Sequence, residues 1–107
     1  MVEYTLRLDS IFSSLADSTR RDILRRVIQA ELSVTEIATN YDMSLAAISK
    51  HLKILEGAQL IMKRRQGTQQ FVTAHPETIQ QTTEYLYSYQ TLWNDRHDVM
   101  EQLIKEG

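Results

Sequence analysis

Apolar residues recur along this chain at helical spacing, broken by short polar stretches. The pattern turns strand-like once, between Leu60 and Ala74. Leu8, Ile11, Phe12 and Leu15 predict a first helix, with Val2, Tyr4 and Leu6 as a partly ordered lead-in. Ala16-Asp17-Ser18 breaks the period, and Asp17 or Ser18 caps a second helix running to about Gln29. Ile23, Leu24, Val27 and Ile28 form its expected inward face. Arg21 and Arg25 lie outside, and Asp22 sits four residues before Arg26 for an ion pair. Ala30-Glu31-Leu32 reads as a connector.

The densest signals follow. Ser33 with Glu36 three residues later is a capping box, in which two side chains satisfy amides left free at a helix start. Asn40-Tyr41-Asp42-Met43 makes a polar turn, and Ser44 caps a second helix, Leu45 to Leu55. That order, with the helix pair spanning about 33–56, is a helix-turn-helix. Leu60-Ile61-Met62 and Phe71-Val72-Thr73 predict two strands around Gln66-Gly67-Thr68, a hairpin wing over about 60–74. His75-Pro76 ends it, and one long helix runs from about Glu77 to Lys105. The expected fold is mainly α with a small β-hairpin wing, a single winged helix-turn-helix domain over residues 1–107.

The last helix places Ile79, Leu86, Trp93 and Met100 seven residues apart, with Thr82, Tyr89 and Leu103 on the neighbouring track, which Arg96 interrupts. A stripe this long must be buried against something. The expectation is a homodimer seam built from the helices at about 3–15 and 77–105, through Leu8, Ile11, Ile79, Leu86, Tyr89, Trp93, Met100 and Leu103. A two-fold dimer presents two reading helices to two half-sites about one DNA turn apart. The aromatic stripe of Tyr85, Tyr89, Leu92 and Trp93 reads as core rather than as a ligand pocket.

Charge changes this picture in one respect. The net charge of −2 argues against a polyanionic partner, but its distribution does not. Residues 43–75 hold Lys50, Lys53, Lys63, Arg64 and Arg65 against Glu56 alone, for +4, while residues 1–42 carry −2 and residues 76–107 carry −4. The positive segment coincides with the reading helix and the wing, where phosphates would lie. A helix entering the major groove needs short or polar residues at its leading end. Ser44, Leu45, Ala46 and Ser49 fit, with Leu45 or Ala46 able to meet a thymine methyl. Lys50 and Lys53 suit phosphates or a base edge, and Ile48, Leu52 and Leu55 anchor the helix to the core. In the wing Lys63, Arg64, Arg65 and Thr68 are candidate contacts. Strand alternation prevents the three cations from pointing one way. Double-stranded DNA is therefore the expected partner, and a winged-helix protein-interaction module without specific DNA binding is the alternative.

Composition narrows the rest. With 42% hydrophobic and 24% charged residues and no apolar run of membrane-spanning length, neither membrane insertion nor secretion is expected. The absence of cysteine excludes disulfides and thiolate chemistry and suits a cytoplasmic protein. His51 reads as a packed, hydrogen-bonded residue rather than a catalytic base. No Ser/His/Asp constellation, metal-ligand cluster or phosphate-binding glycine loop points to an enzyme or a cofactor.

Leu15-Ala16-Asp17-Ser18-Thr19-Arg20-Arg21-Asp22-Ile23-Leu24 is close to LADPTRRxIL, a mark of the arsenic-repressor (ArsR/SmtB) family of dimeric bacterial winged-helix repressors. The segments from Glu31 to Ala38 and from Met43 to Lys53 extend the resemblance. Tyr89, Trp93 and Arg96 resemble the Y-x-x-x-W-x-x-R segment of a metal-independent branch. The resemblance implies a repressor that occupies an operator, with an inducer that the sequence does not identify. Metal-sensing members carry ELCVCDL, and Ser33 and Thr35 stand at its two cysteine positions here, so soft metals lose their ligands. Asp95-Arg96-His97 matches half of the family's other metal site, but no further histidine follows. The expectation is no metal; His97 with Asp98 or Glu101 across a dimer is the one arrangement left open. Gln59 stands where relatives usually have glycine, and with Gly57 two residues earlier a rearranged helix end is expected.

Overall fold

A computed structural model describes residues 2–106, with side chains from Arg7 onward. Its elements are α1 (Val2–Leu15), α2 (Ser18–Gln29), β1 (Leu32–Ser33), α3 (Val34–Ala38), α4 (Leu45–Gly57), β2 (Ile61–Gln66), β3 (Gln69–Ala74) and α5 (Pro76–Glu106). The backbone of α1 takes in Val2, Tyr4 and Leu6, expected as a lead-in, whose side chains lie outside the described residues.

The α1–α2 corner shows why its sequence is what it is. The Asp17 carboxylate accepts the Arg20 amide at 3.0 Å and caps α2. Arg20 and Arg21 turn back to the end of α1, donating to the carbonyls of Ser14 (2.6 Å) and Leu15 (2.7 Å) that have no partner within the helix. One short run of residues thus starts one helix and finishes another.

The core joins Ile11 of α1, Ile23, Leu24 and Val27 of α2, Ile37 of α3, and Ile48, Leu52 and Leu55 of α4 to Leu60, Ile61 and Val72. Each such side chain contributes about 1.5–3 kcal/mol by leaving water. Two residues lie elsewhere than their spacing suggests. Ile11, assigned to a subunit seam, is only 1% exposed and belongs to the core of its own chain. Ile28, assigned inward, is 55% exposed and borders an open groove of about 390 Å³ between α2 and the start of α5.

The wing is part of a three-stranded antiparallel sheet, ordered β1-β3-β2, rather than a free two-stranded ribbon. Leu32 pairs with Val72 and Ser33 with Phe71, so the expected connector is partly an edge strand. Gln66 faces Gln69 across the hairpin tip, where Gly67 takes φ +63°, the left-handed value that glycine adopts without a Cβ clash. At the other end of β2, α4 runs through Gly57 and is closed by Gln59 at φ 60°. The Gln59 amide reaches the Glu56 carbonyl at 2.9 Å and the Leu60 amide reaches Leu55 at 3.1 Å. This is a Schellman closure with glutamine at the usual glycine position, and the buried pair Leu55 and Leu60 packs under it. The helix end is therefore not rearranged, despite the missing glycine.

Helix α5 begins on Pro76 and uses one face in two ways. Thr78 and Thr82 are buried, Phe12 of α1 meets the Tyr85 ring at 6.1 Å, and Arg7 reaches Gln81 at 3.2 Å. From Leu86 to Glu106 every residue is exposed. Wound at about 100° per residue, Leu86, Tyr89, Leu92, Trp93, Val99, Met100, Leu103 and Ile104 fall within an arc of about 140°. That arc continues the face already packed by α1 in the first turns. The apolar stripe is thus covered by its own chain at one end and bare along the rest.

Candidate nucleic-acid interface

The helix-turn-helix is α3, the turn and α4. Ser33 and Glu36 form the expected reciprocal capping box, at 3.1 Å from the Glu36 amide to Ser33 Oγ and 2.9 Å from the Ser33 amide to Glu36 Oε1. Ser44 Oγ accepts the Ala47 amide at 3.1 Å and starts α4. The turn is pinned to α2: the Tyr41 hydroxyl donates to Asp22 Oδ2 at 2.5 Å, and the Arg26 guanidinium lies 5.8 Å from the Tyr41 ring. Asp22 also receives Arg25 (2.6 Å) and Arg26 (3.0 Å). The Tyr41 hydrogen bond first, and the two arginines after it, hold the Asp22 carboxyl far below its usual range. Burial, and then the bond to Asp22, push the Tyr41 phenol up.

α4 divides cleanly into two sides. Ile48, Leu52 and Leu55 are buried, while Ser44, Leu45, Ala46, Ser49, Lys50 and Lys53 are all exposed. Ala46, Ser49, Lys50 and Lys53 span an arc of about 100° roughly opposite the buried residues. Lys50 and Lys53 have no ion pair among the described residues, so their charge is uncommitted. His51 is on the flank of α4. Its Nδ1 lies 3.3 Å from Arg20 Nη1 and 3.9 Å from Asp17 Oδ2. A guanidinium only donates, so in this contact Nδ1 is the acceptor. His51 is thus a packed link between α4 and the α1–α2 corner, as its position suggested.

The register separates the three wing cations. Lys63 faces Val72, Arg64 faces Phe71 and Arg65 faces Gln70. Lys63 and Arg65 share the face that carries buried Ile61 and Val72, and Arg64 takes the other. Lys63 reaches Glu56 of α4 at 3.3 Å, with its side chain only 17% exposed. Arg64 binds both carboxylate oxygens of Glu31, which holds the Glu31 carboxyl down and the guanidinium up. Arg65 and Thr68 are exposed, and Arg65 has no ion pair among the described residues. The Arg20–His51, Tyr41–Asp22 and Glu31–Arg64 links were not read from the sequence. Their partners lie 31, 19 and 33 residues apart, and no local spacing marks them.

Of the residues assigned to a subunit seam, Leu8 and Ile79 are half-buried, Ile79 against the core, and Leu86, Tyr89, Trp93, Met100 and Leu103 are exposed. His97 packs on Trp93, ring centroids 4.1 Å apart, with Nδ1 3.1 Å from the Trp93 carbonyl oxygen. Among the described residues no three His, Asp or Glu side chains converge as a metal-ligand set, and no helix is long and apolar enough to cross a membrane.

A capped reading helix with a polar, cationic outer face, joined to a β-hairpin wing, defines a winged helix-turn-helix domain of the transcriptional-regulator class. The family model described as "Bacterial regulatory protein, arsR family" matches residues 17–63. The chain is 38% identical over 68 residues to the HTH-type transcriptional regulator Rv2034 of Mycobacterium tuberculosis, covering 64% of this chain and 64% of that relative, just under two thirds of its length. It is 26% identical over 82 residues to the transcriptional repressor SdpR of Bacillus subtilis, covering 77% of this chain and 91% of that protein. The crystal structure of an ArsR family transcriptional regulator, RHA00566, superposes with TM-score 0.78 at 33% identity, over 85% of this chain and 94% of that one. A homodimeric winged helix-turn-helix DNA-binding domain from Mycobacterium bovis superposes with TM-score 0.68 at 26% identity, over 90% and 85%. The chain belongs to the arsR family of bacterial regulatory proteins.

Proposed function

We propose that this chain is a homodimeric repressor that occupies an operator, blocking transcription by its presence there. The observation that carries the reading is the exposed face of α4, where Ala46, Ser49, Lys50 and Lys53 stand together with two uncommitted positive charges. With α4 in the major groove, Ser44, Leu45, Ala46 and Ser49 meet base edges or adjacent phosphates, and Lys50 and Lys53 meet the backbone. Arg65 and Thr68 of the wing lie alongside. Lys63 and Arg64 are already paired with acidic residues of their own chain. Two chains join along the bare stripe of α5 from Leu86 to Leu103, with Leu8 of α1 at its margin. The likeness to a named repressor and to a homodimeric domain supports both halves of the reading. No enzymatic step enters it. The cytoplasm is the compartment it implies, because the operator lies there.

The test is selection of duplexes from a randomised pool by the purified protein, followed by gel-shift titration at several salt concentrations. A selected sequence is expected to bind far more tightly than random duplex, with log affinity falling by about 0.9 per phosphate contact per log unit of salt. Failure to select any sequence would return the chain to the interaction-module reading.

A further inference from the structure

The two adjacent wing arginines differ in every surrounding. Arg65 is on the face it shares with Lys63 and is unpaired among the described residues. Arg64, on the opposite face, has all three of its nitrogens engaged. Nε and Nη2 donate to the two oxygens of Glu31 at 2.9 and 2.6 Å, and Nη1 donates to Gln66 Oε1 at 2.8 Å. Its guanidinium carbon lies 4.7 Å from the centroid of the Phe71 ring. A fork-to-fork pair laid on an aromatic face fixes the plane as well as the position of the group.

The topology gives this geometry a consequence. Glu31 immediately precedes β1, Arg64 is in β2, and β3 runs between them. The pair therefore spans the middle strand over Phe71 and ties the outer strand of the hairpin to the root of the sheet. The base of the hairpin is held by buried Ile61 and Val72 and by the Lys63–Glu56 pair, but beyond Lys63 the ladder is the other restraint on the tip. We propose that Arg64 is a positioning residue, clasped by Glu31 and Phe71, that sets the angle at which Arg65 and Thr68 are held beside α4 and does not itself touch DNA. The inference rests on the proposed DNA-binding role for its effect on affinity, but the clasp itself is a property of the free protein.

Charge alone and the clasp predict opposite signs, which makes the test sharp. Removing an acidic residue from a DNA-binding domain should tighten binding through electrostatics, and releasing Arg64 to a phosphate should tighten it further. The clasp predicts that Glu31→Gln weakens it. Wild type, Glu31→Gln, Arg64→Ala, the two combined, Arg64→Lys, Arg65→Ala and the exchanged pair Glu31→Arg with Arg64→Glu are compared as purified proteins. The probes are the duplex selected by wild type and a random duplex, each at several salt concentrations. Glu31→Gln and Arg64→Ala should each weaken the selected duplex roughly threefold to tenfold, no worse together, with the salt slope unchanged. Arg64→Lys should not restore affinity, because an ammonium cannot pair bidentately, and the exchanged pair should restore it in part. Arg65→Ala should lower affinity for both duplexes and reduce the salt slope by about 0.9.

Hydrogen exchange on the DNA-free proteins supplies the independent readout. The amides of Gln66 to Gln70 should exchange faster in Glu31→Gln and Arg64→Ala while those of α4 do not. Tighter binding by Glu31→Gln, together with a salt slope reduced in Arg64→Ala, would overturn the proposal by making Arg64 a phosphate contact. So would hairpin exchange identical to wild type. If no duplex is selected at all, the functional reading fails, and the exchange result still decides the clasp.

Discussion

Gln59 carries the helix-to-wing turn at φ 60°, where an L side chain meets its own carbonyl at a cost of roughly 1–2 kcal/mol. Glycine removes that cost but gives back part of it in unfolded-chain entropy. Gln59→Gly should therefore stabilise the chain by about 0.5–1 kcal/mol in urea unfolding without changing DNA affinity, because the two closing hydrogen bonds are made by backbone. Asp22 offers a test through pH. Its folded value lies below its ordinary 3.8, so the carboxylate contributes stability that is complete above the usual carboxylate range. That contribution is lost as pH falls through 3.8 toward the depressed folded value. The Tyr41 hydroxyl is the largest cause. Tyr41→Phe should raise the Asp22 titration, followed by carbon-13 NMR, and should destabilise the protein more at neutral pH than in acid. An unmoved titration would mean that the two arginines hold Asp22 unaided.

At the scale of elements, what was legible in the sequence was what neighbouring residues settle among themselves. Ser33 with Glu36, Ser44, Asp17 and Gly67 each act within four residues, and the structure has the expected cap or turn at every one. Strand β1 was not legible, because two residues show no alternation and Leu32 and Ser33 are extended only where β3 pairs with them. Ile28 had the right spacing for the core, but spacing does not tell where the covering elements stop, and here a groove begins. Ile11 failed similarly: periodicity gives a buried face without saying which chain buries it. On the binding surface, alternation showed that the three wing cations diverge. The partners of two of them, Glu56 for Lys63 and Glu31 for Arg64, are set by tertiary packing alone. The capping box provides an element-scale prediction. Ser33 is 3% exposed and its Oγ accepts the Glu36 amide, so Ser33→Ala, which keeps the Ser33 N–H bond to Glu36 but leaves the Glu36 amide without its cap, should cost about 1 kcal/mol in thermal or urea unfolding. A smaller loss would mean that β1 pairing, not the cap, holds the start of α3.

The whole molecule is more extended than a compact chain of its length. Its radius of gyration is 18.7 Å, where a compact chain of this length has about 13 Å, and its longest dimension is 69 Å. The excess is α5, which carries nine of the fifteen exposed large hydrophobic residues among those described. In the proposed dimer, a second copy laid along that stripe would bury eight of these, all but Tyr87, and bring two α4 helices into one particle, the geometry an operator with two half-sites needs. Sedimentation should show a dimer at tens of micromolar. Trp93, 55% exposed in the single chain, should lose about 3 kcal/mol of association on replacement by alanine if the partner encloses it. A wild-type monomer at that concentration would mean that the α5 stripe is not a subunit seam.

Ser49 lies on the outer face of α4 proposed to read DNA, exposed and free of core contacts. Ser49→Glu puts a carboxylate where phosphates and base edges should lie, while circular dichroism and unfolding should show the wild-type fold. The most direct measurement is the affinity of Ser49→Glu and wild type for the selected duplex at matched salt. The variant should lose sequence-selective binding altogether. Wild-type affinity in a folded Ser49→Glu protein would contradict it, and α4 would not be the reading element.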